Sequence, residues 1–444
     1  MKKESLVSEF ERQGVLATIL KFSIPSSIGA IIGMLCVLTD RFFIGQVAGR
    51  AGMSAIAIVF PYTMLINSVN FLFSGVAIMI GVKLGEGQRK EAEKILGSSF
   101  LWIILIGTLV SLTLGMFNDN ILRILGATDS NFLEAKEYTK YIIPITTFQI
   151  LLGQSTLVRG IGDPITSMGV NIFTATVNVI LDYIFIMKLS MGILGASLAT
   201  FIATALSAIY IVIYFSKSSV IQLKVKNMTL NFQILKEVFR IGSPRFYNQI
   251  LQSLLVIVTN KKAGIYGGDI ATAAIGIISI IRNVINTSMQ GFNQGTAAII
   301  SYNYGACNYK RVRKVLGVQI KTVGTISAGM VILMLIFSQE IAGIFVKSDL
   351  ELVKYTAHAM RINLCLMVST AIFLACNNFF QSIKESKIAT RFFFIRIVLL
   401  NIPLVYILSH FIGANGVWMA FPMSDTIVAL GLYIITQRKL RTLK

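Results

Sequence analysis

Three carboxylates and a handful of amides carry the chemistry open to this chain. Asp40 closes the apolar stretch FSIPSSIGAIIGMLCVLTDRFFIG, Asp182 sits within NVILDYIFI, and Asp425 within GVWMAFPMSDTIVALGL. An ionisable side chain at the centre of a membrane span costs at least ~2.5–3.5 kcal/mol, so each acid is expected to face protein or water rather than lipid. Asn178 lies four residues before Asp182 and Asn171 eleven before it, which puts all three on one helical face. If the first span presents Asp40 to that face, two carboxylates and an amide converge. Such a cluster either coordinates a hard cation such as Na⁺ or holds a proton, because desolvation and a like-charged neighbour both favour the neutral acid. The plainer alternatives are that Asp40 pairs with Arg41 at the headgroup level and that Asp182 is a hydrogen-bonding link between helices. Asp425, with Pro422 and Ser424 beside it, reads as structural, bonding local backbone or pairing with Arg396 of the preceding span.

Enzymatic chemistry has no comparable support. The two histidines, His358 and His410, lack metal-ligand or nucleophile partners at useful spacing, and no phosphate-binding glycine loop occurs. The four cysteines, Cys36, Cys307, Cys365 and Cys376, show no CxxC pairing and read as small packing residues. No cofactor is expected.

The elements that must hold these residues are membrane helices. Of 444 residues, 55% are hydrophobic and only 14% charged, with mean hydropathy +0.74, too little polar surface for a soluble protein of this size. Runs long enough to cross a hydrocarbon core fall at about 16–44, 53–80, 95–117, 138–158, 165–187, 192–215, 237–259, 270–299, 315–338, 357–380, 388–411 and 416–436. The expected class is an all-α integral membrane protein of twelve transmembrane helices. An even number places both termini on one side, and the segments on that side hold 26 basic residues against 11 on the other. Both termini are therefore expected in the cytoplasm of a multi-pass plasma-membrane protein, and the net charge of +20 is topological rather than a sign of nucleic-acid binding. The tail MKKESLVSEFERQG reads as a cytosolic lead-in rather than a signal peptide.

The polar stretch 216–236 splits the chain, and the halves resemble each other. At an offset of 220, Gly75–Gly97 matches Gly295–Gly317 at eight of 23 positions; at 219, Pro25 falls on Pro244; near 221–223, Asn178 falls on Asn401. The domains are accordingly an N-lobe over 1–215, a cytoplasmic linker over 216–236 and a C-lobe over 237–444, two six-helix lobes related by a direct internal repeat. The repeat also exposes an asymmetry: Asp40 falls on Thr259 and Asp182 on Val405, so both acids belong to one half. A purely architectural need would be felt in both, which argues for function.

Pro25 and Pro244 each remove a helical hydrogen bond, and a hinge is assigned only to Pro25, which shares its span with Asp40. Asn67, Asn70, Gln154, Gln252, Met289, Phe292 and Asn293 are candidate lining for a substrate cavity, where methionine and phenylalanine would suit an adaptable apolar pocket.

The sequence resembles the multidrug and toxic compound extrusion (MATE) family, within the larger group of multidrug, oligosaccharidyl-lipid and polysaccharide exporters. The resemblance spans essentially the whole chain and rests on P…LTDRFFIG, RGIGDP, NVILDYIFI with GILGASLAT, GDIATAAIGI, and GFNQGTAAIISYNYGACNYKRVRKV. It implies two lobes around a cleft, alternating access, and export of cationic or amphipathic drugs in exchange for Na⁺ or H⁺ by a functional monomer. In the branch with an N-lobe ion site, the family's pattern maps onto Asp40, Asn178, Asp182 and Thr200, where Na⁺ or a proton would bind. Another branch carries acids in spans seven and ten; here Gln252 lies near the first position and Ser369 and Thr370 near the second, so a C-lobe coupling site is not expected. The rival readings are a flippase for a lipid-linked or polysaccharide precursor, whose pyrophosphate would call for more in-span arginine than Arg245, Arg282 and Arg396, and, from other classes, a membrane enzyme or a non-transporting receptor.

Overall fold

The computed structural model describes residues 14–125, 127, 132–218, 220–345 and 350–443. The lead-in 1–13 and the side chain of Arg41, the alternative partner suggested for Asp40, lie outside the described residues.

Helices account for nearly everything described, and no strand occurs among those residues. Among the described residues eight helices are long and apolar enough to cross a bilayer, and two bent pairs, Phe132–Ile142 with Thr146–Gly160 and Leu350–Leu364 with Met367–Ser382, kink by 51° and 43° within what the sequence reads as spans four and ten. Spans seven and eight lie inside the helix Phe232–Gly305, whose 74 residues break only at Gly268, where φ is 62° and ψ −155°. At 1.5 Å per residue that helix measures about 110 Å, ample for two crossings of a ~30 Å core. The left-handed φ is what makes glycine the suitable residue at the break. The result is a twelve-helix, all-α integral membrane protein. The break at Gly268 falls within the connection expected near 260–269, whereas the backbone near 45–52, expected to connect spans one and two, is helical.

By mutual packing the described chain forms two units, one holding Ile24–Gly242 with Gly305–Cys307, the other Gly14–Ser23, Ser243–Tyr304 and Asn308 onward. The divisions fall one residue before Pro25 and one before Pro244. In the first unit a core built on Phe73, Phe100, Leu157, Ile211 and Phe215 also takes up Val238 and Ile241, and a side chain at Gly75 would meet the Val238 carbonyl at 2.3 Å. In the second unit the equivalent glycine, Gly295, lies against Phe22 and Ser23, and the Ser23 hydroxyl donates to the Phe292 carbonyl at 3.1 Å. Each repeat thus packs a glycine against the segment leading into a proline.

The stretch 216–236 is docked in the first unit. Glu93 of span three, only 6% exposed, accepts from Lys224 Nζ at 2.8 Å, and Trp102 Nε1 donates to the Asn231 carbonyl at 3.2 Å. A Cβ at Gly97 would stand 2.4 Å from the Asn227 carbonyl oxygen, so glycine is required for this approach. The RGIGDP motif is a helix start: Asp163 accepts from the Thr166 amide at 3.0 Å with Pro164 in the first turn, and the Tyr214 hydroxyl reaches it at 3.0 Å.

Candidate functional site

Four side chains that the sequence placed in one site come from spans one, five and six, all within the first unit. Spans five and six are joined by polar pairs. Thr174 Oγ1 donates to Ser207 Oγ at 2.7 Å, and one face further along Asn178 Nδ2 donates to Thr200 Oγ1 at 3.3 Å. The Thr200 hydroxyl in turn donates to the Ala196 carbonyl at 3.0 Å, so its proton is committed. Span one approaches span five closely at Gly29, where a Cβ would be 2.9 Å from Asn171 Nδ2. Seven residues later on both helices, Cys36 Sγ donates to Asn178 Oδ1 at 2.8 Å. Four residues beyond that come the acids: Asp40 acts electrostatically on Asp182, and both act on Cys36.

Asp182 is fully buried, and neither carboxylate oxygen accepts a hydrogen bond among the described residues. Buried polar groups are nearly always paired, so these two oxygens stand out as acceptors without a protein donor among the described residues. Immediately after Asp182 the helix widens to π geometry over Tyr183–Lys188. The corresponding span of the second half also carries a π segment, Ile395–Asn401, so the widening belongs to the repeated architecture. Asp40 is half-buried. The positions that replace the two acids in the second half are occupied without charge: Thr259 is buried and donates to its own helix at the Leu255 carbonyl, and Val405 is buried.

Cys36 is the residue that sequence reasoning missed. Treated as packing, it is a donor that fixes the Asn178 amide; the available signal was its place one helical turn before Asp40. Glu93 was missed likewise, because a glutamate near a helix start reads as solvated.

The candidate cavity residues are distributed over both units. In the first, Asn67 is exposed, Asn70 half-buried with its oxygen against Gly153, and Gln154 buried. In the second, Gln252 is half-buried, while Met289, Phe292 and Asn293 are buried, the last accepting from Gln319 Nε2 at 2.7 Å. Pro25 lies inside a continuous helix next to the packing division described above.

Asp425 has the partner the sequence suggested. Arg396 Nε and Nη2 reach its two oxygens at 2.7 and 2.9 Å, and Thr370 Oγ1 donates at 2.5 Å. Arg396 and Asp425 are 4% and 2% exposed. This bidentate pair is satisfied, unlike Asp182.

A repeated twelve-span helical fold with ionisable side chains buried within its apolar helices is the framework of an integral-membrane transporter. The MatE family model matches residues 25–184 and again 244–407, once on each half, and the chain belongs to that family. The protein is thus a transporter and not an enzyme. The Multidrug export protein MepA of Staphylococcus aureus is 26% identical over 438 residues, covering 98% of this chain and 96% of that one. That of Staphylococcus haemolyticus is 25% identical over 439 residues, with coverage of 98% and 96%. Among solved structures, the outward-facing conformation of a multidrug resistance MATE family transporter of the MOP superfamily superposes with a TM-score of 0.93 at 21% identity, covering 99% of this chain and 98% of that one. That likeness concerns the fold.

Proposed function

We infer that the protein is a secondary antiporter of the plasma membrane, with both termini cytoplasmic, that exports cationic or amphipathic drugs in exchange for H⁺ by alternating access between an N-lobe (1–215) and a C-lobe (237–444). The observation that carries this reading is the pair of unpartnered, fully buried oxygens of Asp182 beside Asp40. The export of several drugs rests on the relatives named above.

A proton suits the site better than Na⁺. A hard cation needs about six oxygen ligands. The neutral oxygens here each already accept one hydrogen bond, Asn178 Oδ1 from Cys36 and Thr200 Oγ1 from Asn178, which leaves one lone pair apiece for a cation. A proton needs only a carboxylate. Proton binding from outside removes one of the two negative charges of the Asp40/Asp182 pair, relieving their repulsion, and favours the lobe arrangement that releases drug; drug loads from inside as the proton leaves. The ion can drive this only by binding one arrangement more tightly than the other. Pro25 serves as the hinge of span one, at the place where the chain passes from one packing unit to the other.

Reconstituted into proteoliposomes, the protein is expected to move ethidium under an imposed ΔpH, with little response to a Na⁺ gradient alone. Asp40→Asn and Asp182→Asn should each abolish transport while the protein still inserts and folds. Wild-type transport by both variants would remove this assignment, and a Na⁺-driven flux without ΔpH would replace the proton by Na⁺. No flux of dye under either gradient would favour the flippase or receptor readings.

A further inference from the structure

The second unit buries charge of the opposite sign. Arg282 of span eight lies half-buried with its guanidinium 4.3 Å above the Phe421 ring, and Nη1 donates to Asn363 Oδ1 at 3.0 Å. No other hydrogen bond or ion pair of Arg282 exists among the described residues. Phe421 lies four residues, one helical turn, before Asp425 on the last helix, which brings Arg282 close to the Arg396–Asp425 pair. Asp425 is already spent: both its oxygens take the fork of Arg396, and one also takes Thr370. Two guanidiniums therefore share one carboxylate, an excess of one positive charge inside the helices. A guanidinium is permanently charged, so the excess cannot be removed by losing a proton.

We propose that Arg282, with the adjoining Arg396–Asp425 pair, forms a binding site for one small monovalent anion in the C-lobe, either a free halide or the carboxylate of an amphipathic substrate. Charge sets the valence, since one anion neutralises the cluster and a divalent one would overshoot. Geometry sets the size. One face of the Arg282 plane is covered by Phe421 and one nitrogen is held by Asn363, leaving the Nε and Nη2 edge to donate, a fork that fits a carboxylate or a single halide. The duplicated architecture then holds a proton site of negative character in one half and an anion site in the other. This site stands on the second unit alone and does not depend on the coupling ion of the first.

The test is saturable binding of radiolabelled chloride to the purified full chain in detergent, at constant ionic strength with sulfate, the divalent anion the site should reject, as the replacement. One site per chain is expected, displaced by bromide; displacement by benzoate assigns a substrate carboxylate to the site, and its failure assigns a free halide. Arg282→Gln should weaken binding at least tenfold, Arg282→Lys less. Asp425→Asn, which removes the competing carboxylate, should tighten it, a direction that mere disruption of the fold would not produce. If a variant does not fold, wild-type crystals soaked in bromide give the second measurement, an anomalous peak beside the Arg282 guanidinium. No saturable chloride binding by the wild type, unchanged affinity in Arg282→Gln, or no bromide peak at Arg282 would overturn the proposal.

Discussion

Cys36 donates its thiol to Asn178 across 2.8 Å, and the 142-residue separation of that pair recurs on either side of it. Gly29 meets Asn171 at the same offset, and Asp40 faces the charge of Asp182 at the same offset again. Spans one and five therefore run in one register, approaching at Gly29 and, seven residues on, at Cys36, with the two acids at corresponding positions four residues further. That spacing keeps successive contacts on a single face. The two acids are brought together by this register, with Gly29 permitting the approach and Cys36 locking it.

Cys36→Ala should loosen the site, because Asn178 Oδ1 loses its donor and the amide is free to turn. A lost hydrogen bond of this kind costs about 1–2 kcal/mol, which is roughly tenfold in affinity. The expected result is a tenfold shift in the proton concentration giving half-maximal dye efflux, with Cys36→Ser close to wild type. Identical profiles for all three proteins would mean that the thiol only packs.

Asp182→Leu should make the protein more stable and inactive. Two buried oxygens without partners cost free energy that an apolar side chain does not, about 1–3 kcal/mol. Thermal unfolding in detergent should shift upward while ΔpH-driven ethidium transport disappears. A destabilised Asp182→Leu would show that the carboxylate is compensated within the fold.

The Arg396–Asp425 pair should behave in the opposite way. Arg396→Met strands a buried carboxylate and should cost about 3–5 kcal/mol, whereas the double change Arg396→Met with Asp425→Leu should recover most of the loss. The readout is again thermal unfolding, and a double variant as unstable as the single one would refute a simple charge-compensation account.

The linker makes a sharper structural prediction. Gly97→Ala drives a Cβ into the backbone oxygen of Asn227, which cannot swing aside as a side-chain end would; Gly317, its repeat partner, has nothing within 4 Å. Limited proteolysis should cut within 220–231 faster in Gly97→Ala and in Glu93→Gln, where the charge facing Lys224 is lost, and at the wild-type rate in Gly317→Ala. Equal rates throughout would mean that the linker is not held by this contact.

The sequence by itself determined the class and singled out the acids from which a site is proposed. Long apolar runs can be stable only where helices satisfy their own backbone in lipid, and acids at mid-span carry a cost that singles out Asp40, Asp182 and Asp425 before any contact is known. The repeat then separated the acids confined to one half from what the fold requires in both. Tertiary structure decided how those residues are used. Among the described residues Asp182 has no hydrogen-bond donor and Asp425 has two, although both are aspartates in apolar helices, because pairing depends on which neighbouring helix faces each one. The same holds for Cys36 and Arg282: side-chain spacing along one helix fixes a face, while the residue opposite that face is set by packing between helices far apart in the chain.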